Sequence, residues 1–502
     1  MRWLARTILG TALWSGVAAT GMAWAPSAAA ESAKMIVMQG IKTGAPACSG
    51  CHGAQGEGLS AAAIPRLAGL DAGYLLHQLD SFADGKRKNG TMTPIASSLT
   101  QDERKAVAAY YAKQSIKTSV ASKKSDTATL ALGGAIAKSG DWTKDVPGCS
   151  QCHGPMGSGV GSLTPRLAGQ SAEYIEAQLK GWASGSRQDD PMGLMAAIAK
   201  RLNDKEISAV AAYYAAYPRV PEASVSSVTQ NFDGFTPPPD SAIPKDQFGE
   251  MVKLGLNIFR NTPHYAKAYV GNSLSCENCH LDAGRMANSA PLWAAYVSYP
   301  AYRSKNKHVN DFPERLQGCF RFSMNGKPPA RGSKELLALE TYSYFLAKGA
   351  PTGAKMKGRG YPALKKPAQP MNFERGKQVY AQNCAMCHGA DGQGQKSAAG
   401  KIVFPPLWGS KSFNWGAGMG NIKNAAAFIK ANMPFSKGNT LSDQEAWDVA
   451  MFVDGHERPQ DPRFTGSVPE TRKRFHNSKM WLYGTRVDGV LLGAHSVPSG
   501  KH

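Results

Sequence analysis

The pattern C-x-x-C-H occurs four times in this chain of 502 residues and constrains its fold more than any other feature. The copies are Cys48, Cys51 and His52; Cys149, Cys152 and His153; Cys276, Cys279 and His280; and Cys384, Cys387 and His388. In this spacing the cysteines form thioether bonds to haem vinyl groups, and the histidine is placed to bind the iron. A zinc half-site shares part of the pattern, but four copies that all end in histidine favour haem. The predicted fold is therefore all-α, with four class I cytochrome c domains in tandem, each wrapped around one covalently bound haem c.

The N-terminus has the features of an export signal. Residues 1–30 begin with Arg2 and Arg6, continue through an apolar stretch and end in small residues at Ala30. This pattern predicts a signal peptide that is cleaved after Ala30, and hence a periplasmic protein. An uncleaved membrane anchor is the alternative, but the apolar stretch is interrupted and short for a span of roughly 20 residues. No other segment is apolar enough, so we expect no membrane span after cleavage.

Positive charge is concentrated in the second half of the chain. The formal net charge is +21, and two arginines belong to the signal peptide. Residues 31–217 contain 20 basic and 16 acidic residues, whereas 218–502 contain 36 and 21. Nucleic acid is not an expected partner for an exported protein, so the basic half predicts a small anionic substrate or an acidic partner. A merely solvated basic surface is the alternative.

The first half of the mature chain is an internal repeat. The run Pro65–Gly69 recurs at Pro165–Gly169, and the first haem motif recurs after 101 residues. A period of this length indicates two homologous domains rather than a solenoid.

Linkers and helix-start signals divide the rest of the chain. Final helices are predicted to start at capping boxes at Thr100, Asn203 and Ser442, and the equivalent helix of the third domain is predicted from Ser333 to Lys348. The predicted order is: signal peptide, 1–30; cytochrome c domain 1, 31–115; domain 2, 116–217, with a linker at 116–134; Pro-rich linker, 218–244; domain 3, 245–365; domain 4, 366–460; tail, 461–502. We expect the tail to be irregular and to pack over the haem domains.

Methionines are the predicted sixth iron ligands of three haems. Met92, Met195 and Met433 each lie shortly before the last helix of their domain. His/Met ligation raises the reduction potential and suits electron transfer. Met192 is a rival for Met195, while Met419 and Met451 are read as loop and core residues.

The third domain has Cys319 where a methionine is expected. It lies 39 residues after His280 and is the only cysteine outside the four motifs. A thiolate ligand would lower the haem potential and place a nucleophilic sulfur at the iron. The alternatives are an inert buried thiol, or ligation by Met324, His308 or His264.

These residues carry a resemblance to a known family. The run from Asn272 through the third motif to Arg285, followed by Cys319 and Ser323–Lys327, resembles the dihaem thiosulfate dehydrogenases of the Tsd type over about 245–502. Residues 31–217 resemble a dihaem cytochrome of the c-four type, which in this family is the electron-accepting subunit. The chain is thus similar to a fusion of the acceptor with the catalytic subunit.

The resemblance implies an activity and a route for electrons. Such enzymes join two thiosulfates into tetrathionate and release two electrons, and many also run the reverse reaction. His280 with Cys319 matches the family's catalytic haem, and His388 with Met433 matches its second haem. Electrons would pass from haem 3 to haem 4 and then to the N-terminal dihaem domains. A downstream periplasmic cytochrome, another high-potential acceptor or a terminal oxidase would receive them.

Two thiosulfate dianions repel each other, so the site needs fixed positive charge. The basic residues around the third motif are Arg285, Arg303, Lys305, Lys307, Arg315, Arg321 and Lys327. We predict that Arg285, Arg303 and Lys307 contact the substrate, with Ser323 and Asn325 as further candidates. Each of these could instead bind a haem propionate or water.

Two other functions compete with the enzyme. One is a non-catalytic tetrahaem periplasmic electron carrier, which accounts for the methionines but not for Cys319 or the basic half. The other is a different sulfur-oxidising cytochrome, which also uses a cysteine-ligated haem.

Overall fold

The computed structural model describes residues 28–498 except for 43, 116–124, 218–234, 398–399 and 401. The predicted signal peptide up to residue 27 and most of both predicted linkers lie outside the described residues. Among the described residues, no helix is both long enough and apolar enough to cross a membrane. All nine cysteines are described, and none is in a disulfide.

The N-terminal repeat folds into two similar helical domains. The first contains α1 (Ala28–Gln39), α2 (Ser49–His52), α3 (Ala72–Ala83), α4 (Met92–Ser98) and α5 (Gln101–Ala112). The second contains α6 (Thr127–Ser139), β1 (Gly140–Asp141), β2 (Val146–Pro147), α7 (Cys149–His153), α8 (Ala172–Ser184), α9 (Leu194–Ala199) and α10 (Asp204–Ala216). In each, the first helix packs against the last, and the core lies between them.

The third domain has the same plan with a longer middle section. It contains α11 (Gln247–Arg260), α12 (Thr262–Tyr265), α13 (Leu281–Gly284), α14 (Leu292–Tyr296), β3 (Ala301–Arg303), β4 (His308–Asn310), α15 (Phe312–Gly318), a π-helical turn at Cys319–Ser323 and α16 (Lys334–Leu346). The strands β3 and β4 form an antiparallel hairpin. Helix α11 packs against α16 over the largest hydrophobic core of the described residues.

The fourth domain and the tail form one continuous structure. They contain α17 (Phe373–Asn383), α18 (Ala385–His388), β5 (Gln395–Lys396), β6 (Ile402–Phe404), α19 (Ile422–Asn432), α20 (Asp443–Asp454), α21 (Val468–Phe475), β7 (Arg486–Val487) and β8 (Val490–Leu491). The expectation of an irregular tail was wrong, because α21 is a regular helix capped by the side chain of Ser467, and β7 pairs with β8. Leu482, Tyr483 and Leu492 of the tail are buried in the core with Trp415.

Short 3-10 turns connect these elements at Ser60–Ala62, Trp142–Lys144, Pro155–Gly157, Pro191–Gly193, Asp240–Ala242, Lys267–Tyr269, Cys276–Asn278 and Gly418–Gly420.

The last helix of each domain begins at the capping residue that the sequence predicts. Capping boxes are present at Thr100, Asn203 and Ser442. Ser333 caps α16, which ends at Leu346, two residues before the predicted end.

In three of the four domains, the first helix crosses the last helix at a glycine of the first helix. These glycines are Gly133 on α6, Gly255 on α11 and Gly376 on α17. A Cβ on these residues would lie 2.0, 2.1 and 2.0 Å from the carbonyl oxygens of Ala209, Ala338 and Asp448 on the partner helices. Because no side chain fits at such distances, glycine allows the first and last helices to cross closely.

Contacts between domains give the spatial order first, second, fourth, third. Arg187 of the second domain bonds Gln78 of the first at 2.6 Å. Lys437 of the fourth domain bonds the carbonyl of Met192 in the second at 2.7 Å. Asn414 of the fourth domain bonds Arg321 O of the third at 2.9 Å. The second copy of the repeat, which lies between the first and the fourth, is therefore the one that contacts the C-terminal half.

Candidate functional site

The histidine of each C-x-x-C-H motif is held in the same way. Its Nδ1 lies 2.7–3.1 Å from a backbone carbonyl oxygen, which pairs His52 with Pro65, His153 with Pro165, His280 with Ala290 and His388 with Pro405. A carbonyl oxygen only accepts, so Nδ1 carries the proton and Nε2 keeps a free lone pair. This is the arrangement that orients a histidine toward a metal.

Burial favours the neutral form of these histidines. It lowers the pKa of all four imidazoles, and for His280 the pKa falls to about 4. A neutral imidazole is the form that ligates iron. The four histidines are thus prepared for iron binding by both tautomer and charge.

A cavity suited to a large planar cofactor runs through the second and fourth domains and reaches the third. Its volume is about 990 Å³, and much of its lining is apolar. The cysteines and histidines of the haem motifs and the methionines that line it are Cys149, Cys152, His153, Met192, Met195, Cys279, Cys384, Met386, Cys387, His388, Met419 and Met433. The donors and the space fit covalently attached haem c. Because residues from three motifs share one cavity, neighbouring haems would lie close together.

Cys319 begins the π-helical turn at the end of α15. Arg315 lies one helical turn earlier, and its Nη1 donates to Cys319 Sγ at 2.9 Å. The pKa of Arg315 is raised, chiefly by the charge of the Cys319 thiolate. A guanidinium in this position stabilises sulfur as a thiolate, which is the form that binds metals and acts as a nucleophile.

Two further cationic side chains contact Phe322, which lies on the same turn. Lys305, from the β3–β4 hairpin, places its Nζ 3.5 Å from the centroid of the Phe322 ring, and Arg463 of the tail places its Cζ 5.0 Å from it. Burial, with smaller contributions from Arg463 and Arg315, lowers the pKa of Lys305 to about 7. Three positive side chains therefore surround the turn that starts with Cys319.

Residues of the tail hold the side chain of Arg463 in place. Arg463 forms a paired contact with Asp461, whose oxygens lie 2.9 and 2.6 Å from Nε and Nη2. His476 binds the same carboxylate through Nε2 at 2.8 Å. Together these bonds hold the pKa of Asp461 well below its usual range, so the carboxylate stays ionised and keeps Arg463 in place over Phe322.

Each of the four domains matches a known protein family. Residues 263–352 match the SoxA/TsdA cytochrome c domain, residues 371–453 match subunit III of the cbb3-type cytochrome c oxidase, and 37–114 and 143–215 each match cytochrome c. A thiosulfate dehydrogenase of Thiomonas intermedia (strain K12) is 62% identical over 281 residues, which are 56% of this chain and 89% of that protein. This chain belongs to the thiosulfate dehydrogenase family.

The N-terminal half matches a different protein of the same system. A thiosulfate dehydrogenase electron acceptor of Stutzerimonas stutzeri (strain A1501) is 45% identical over 187 residues, or 37% of this chain and 86% of that protein. A solved thiosulfate dehydrogenase (TsdBA) from Marichromatium purpuratum is 45% identical, with a TM-score of 0.86, and covers 93% of this chain and 100% of that one. This member of the thiosulfate dehydrogenase family is therefore a fusion of a cytochrome c4-like dihaem part with the dehydrogenase part.

The methionines predicted as ligands lie on short elements beside the cavity or near the last helix. Met92 is the first residue of α4, Met195 lies in α9, and Met433 directly follows α19. Met192, the rival of Met195, lies in the preceding turn with a positive φ of 59° and also lines the cavity. Met419 lines the cavity too, as a loop residue near α19.

The rival ligands for the third haem occupy other environments. His308 is exposed on β4 and pairs with Glu314 at 2.8 Å, and His264 is exposed beside Tyr265. Met324 is buried in the hydrophobic core of the third domain. Cys319 differs from all three, because the guanidinium of Arg315 donates a hydrogen bond to its sulfur.

The five residues predicted to contact substrate in this thiosulfate dehydrogenase are not all together. Arg285 is buried, and its Nη2 pairs with Asp240 at 2.6 Å. Asn325 is buried at the boundary with the fourth domain, where its Oδ1 accepts from Asn414 at 3.1 Å. Both side chains have protein partners in the structure.

The remaining three lie on the turn of Cys319 or on the neighbouring hairpin. Ser323 ends the π-helical turn and is half-buried, Arg303 donates to the hydroxyl of Tyr299, and Lys307 is exposed at the tip of the hairpin. Instead, contacts to side chains of the Cys319 turn come from Arg315, Lys305 and Arg463. The first two were in the basic set around the third motif, and the i−4 spacing of Arg315 from Cys319 was a usable signal. Arg463 had none, because it reaches the site from the tail.

Proposed function

We propose that this chain is a cytochrome c-dependent thiosulfate dehydrogenase that forms tetrathionate and also runs in reverse. The observation that carries the proposal is the partly buried contact between Arg315 and Cys319 beside the third haem motif. Family membership over the dehydrogenase half supports it. An electron carrier without substrate has no need of a stabilised thiolate surrounded by cations.

The ligand sets follow from the sequence predictions and the cavity. We assign four haems, attached at the four C-x-x-C-H motifs. Three carry His/Met ligation through Met92, Met195 and Met433, and one carries His280 with Cys319. The contacts of all four histidines support the assignment.

Cys319 is proposed as the nucleophile when its sulfur has left the iron. Its thiolate forms a bond to the sulfane sulfur of one thiosulfate, which gives a Cys–S–S–SO₃⁻ adduct and releases two electrons. A second thiosulfate attacks the sulfane sulfur of this adduct, the bond to Cys319 breaks, and tetrathionate leaves while the thiolate is restored. Bound haem c supplies the acceptors for the two electrons, one at each iron.

Fixed positive charge is the contribution of the surrounding side chains. Each encounter brings two anions together, and their repulsion is reduced by cations that are already in place. Arg315 and Lys305 are the proposed contacts for the sulfonate oxygens, with Arg463 behind them. Ser323, Arg303 and Lys307 stay candidates for the outer part of the site.

The domain contacts support a definite electron route. Electrons pass from the third site to the fourth, then to the second and last to the first. The fourth and second sites lie side by side, since Cys387 and Phe404 line a small cavity together with Leu163 and Thr164. A periplasmic cytochrome, another high-potential acceptor or a terminal oxidase receives the electrons.

The first test is thiosulfate-dependent haem reduction, followed by visible spectroscopy in the wild type and in Cys319→Ala. Met324→Leu serves as the matched control, because it removes the rival sulfur ligand. We expect reduction in the wild type and the control, and its loss in Cys319→Ala with all four haems still attached. If thiosulfate does not reduce the wild type, and tetrathionate does not oxidise the pre-reduced protein, the electron carrier takes the place of the enzyme.

The covalent step has its own test. Protein treated with thiosulfate is digested, and the peptide that contains Cys319 is weighed by mass spectrometry. The proposal expects the mass of one added thiosulfate on that peptide, removed by a thiol reductant. Absence of the added mass at every substrate concentration would exclude the adduct and leave the enzyme assignment to the reduction assay.

A further inference from the structure

The loop that follows α19 is fastened to the second domain. We call residues 433–437 the ligand loop, because it carries the proposed axial methionine of the fourth haem. Arg201 of the second domain donates from Nη1 to Ser436 O at 2.7 Å. Lys437 of the loop donates from Nζ to Met192 O of the second domain at 2.7 Å. The two hydrogen bonds run in opposite directions across the interface, so each domain provides one charged donor.

An aromatic contact joins the same loop to the second domain. Phe435 packs edge-on against Trp142, with 5.6 Å between ring centroids and 88° between ring planes. Trp142 lies directly after β1 and is buried in the second domain. The ligand loop therefore packs against a buried residue of its neighbour.

The residues that grip the loop are themselves well anchored. Arg201 also donates to Asp145 O at 3.0 Å, which ties its guanidinium to the turn between β1 and β2. Met192 is in the left-handed region at φ 59°, three residues before Met195. The bond from Lys437 thus ends on the segment that carries the proposed ligand of the second haem.

We infer that the second domain positions the axial ligand of the fourth haem, with Arg201 and Lys437 as positioning residues. The inference rests on the proposed assignment of Met433 as that ligand. The main chain of the loop is held within its own domain at Met433, whose N–H donates to Ile429 O at 2.8 Å. Three residues later, the carbonyl of Ser436 accepts the hydrogen bond from Arg201 of the second domain.

The positive charges of Arg201 and Lys437 strengthen these hydrogen bonds across the interface. Hydrogen bonds with an ionised partner are about twice as strong as neutral ones. Where two such bonds and an aromatic contact fall on one short loop, they narrow the range of positions that the methionine sulfur can reach. Contact between the second and fourth domains then affects methionine ligation at the fourth haem. Because the two domains belong to one fused chain, they stay together.

The experiment uses the full-length holoprotein and the variants Arg201→Ala, Lys437→Ala and the double variant. Lys200→Ala and Lys423→Ala are matched controls, since both side chains are exposed and lie on the same two domains. The readouts are the long-wavelength absorption band of Met-ligated ferric haem and the midpoint potentials from a chemical redox titration. Far-UV circular dichroism and haem content show that each variant is folded and loaded.

We expect the population of Met-ligated fourth haem to fall about tenfold relative to the unligated form in each single variant, the change expected for loss of one charge-assisted bond. One midpoint potential should shift downward, and Arg201→Lys and Lys437→Arg should restore most of it. Spectra and potentials of the double variant that equal those of both controls would overturn the inference.

The redox titration uses no thiosulfate, so its result is separate from that of the proposed function. If thiosulfate fails to reduce the wild type while the double variant still loses the part of the methionine band that belongs to the fourth haem, the positioning role stands and the enzyme assignment falls. If Met433→Ala leaves the band unchanged, Met433 is not a ligand, and the inference falls with that assignment.

Discussion

At the scale of single residues, the proposed chemistry depends on positive charge placed beside one cysteine sulfur. Arg315 provides such a charge 2.9 Å from Cys319 Sγ in a partly buried contact, where water screens it less than at the surface. In the proposed mechanism, the same charge also attracts thiosulfate. One side chain would then serve both the proposed nucleophile and the substrate.

Replacement of Arg315 by alanine should lower kcat/KM for thiosulfate oxidation by about 10- to 100-fold, because a charged hydrogen bond of about 1.5–3 kcal/mol is lost. Arg315→Lys should recover part of the loss, since it restores charge but not the planar fork. Arg321→Ala is the matched control, because that side chain is exposed on the same turn. Equal kcat/KM values for Arg315→Ala and the control would contradict the role.

Lys305 predicts a pH dependence. Its pKa is lowered to about 7, so the ammonium is charged below pH 7 and neutral above it. The site loses one positive charge as pH rises through this value, and KM for thiosulfate should increase by about tenfold between pH 6 and pH 8. Lys305→Gln should show a high, flat KM over this range, whereas the exposed control Lys348→Gln should keep the wild-type profile. A profile that is unchanged in Lys305→Gln would assign the titration to another group.

Local sequence determined part of this site but not all of it. The haem motifs and Cys319 could be found because their spacing is itself the chemistry. The choice of Arg285 relied on its closeness to His280 in sequence, but its guanidinium turns into the protein toward Asp240. Arg463 could not be found, because more than 140 residues separate it from Cys319. Side-chain direction and long-range packing are not encoded in a short motif.

At the scale of helices, the predicted starts were right where a capping residue marks them. Thr100, Asn203, Ser333 and Ser442 all accept a hydrogen bond from the N3 backbone of the helix that follows. The π-helical turn at Cys319–Ser323 had no such signal, because it depends on how α15 packs rather than on a local pair of residues. The π-helical turn sets the positions of Cys319, Phe322 and Ser323.

The glycine crossings give a prediction about stability. Gly255→Ala would place a Cβ 2.1 Å from Ala338 O and 2.6 Å from Tyr342 Cβ, so α11 and α16 must move apart. We expect a loss of about 1–3 kcal/mol in unfolding free energy, which is typical of overpacking. Chemical denaturation followed by circular dichroism measures it, with Gly90→Ala as control, because no atom lies within 4 Å of a Cβ there. Equal midpoints for the two variants would mean that the crossing tolerates a methyl group.

At the scale of the whole molecule, the order of the domains along the chain differs from their order in space. The first two domains lie side by side through contacts such as the bond of Arg187 to Gln78, and the second then meets the fourth. The sequence could not supply this order, because both copies of the repeat offer similar surfaces and the linker between the halves is long. The first haem is thereby farthest from the catalytic site along the chain of contacts.

This arrangement predicts unequal effects for two matching substitutions, Met195→His and Met92→His. Each replaces a proposed ligand that raises the potential with one that lowers it. In Met195→His the second haem becomes an uphill step, so thiosulfate should reduce the first haem more slowly, by about tenfold for each 59 mV lost. In Met92→His the second haem should still be reduced at the wild-type rate, because the altered haem lies beyond it. Stopped-flow spectroscopy with thiosulfate, at the wavelengths where the two haems differ, measures both rates. If Met92→His slows reduction of the second haem while Met195→His leaves the first unaffected, electrons enter the acceptor half through its first domain, and the contacts between Lys437 and Met192 do not mark the route.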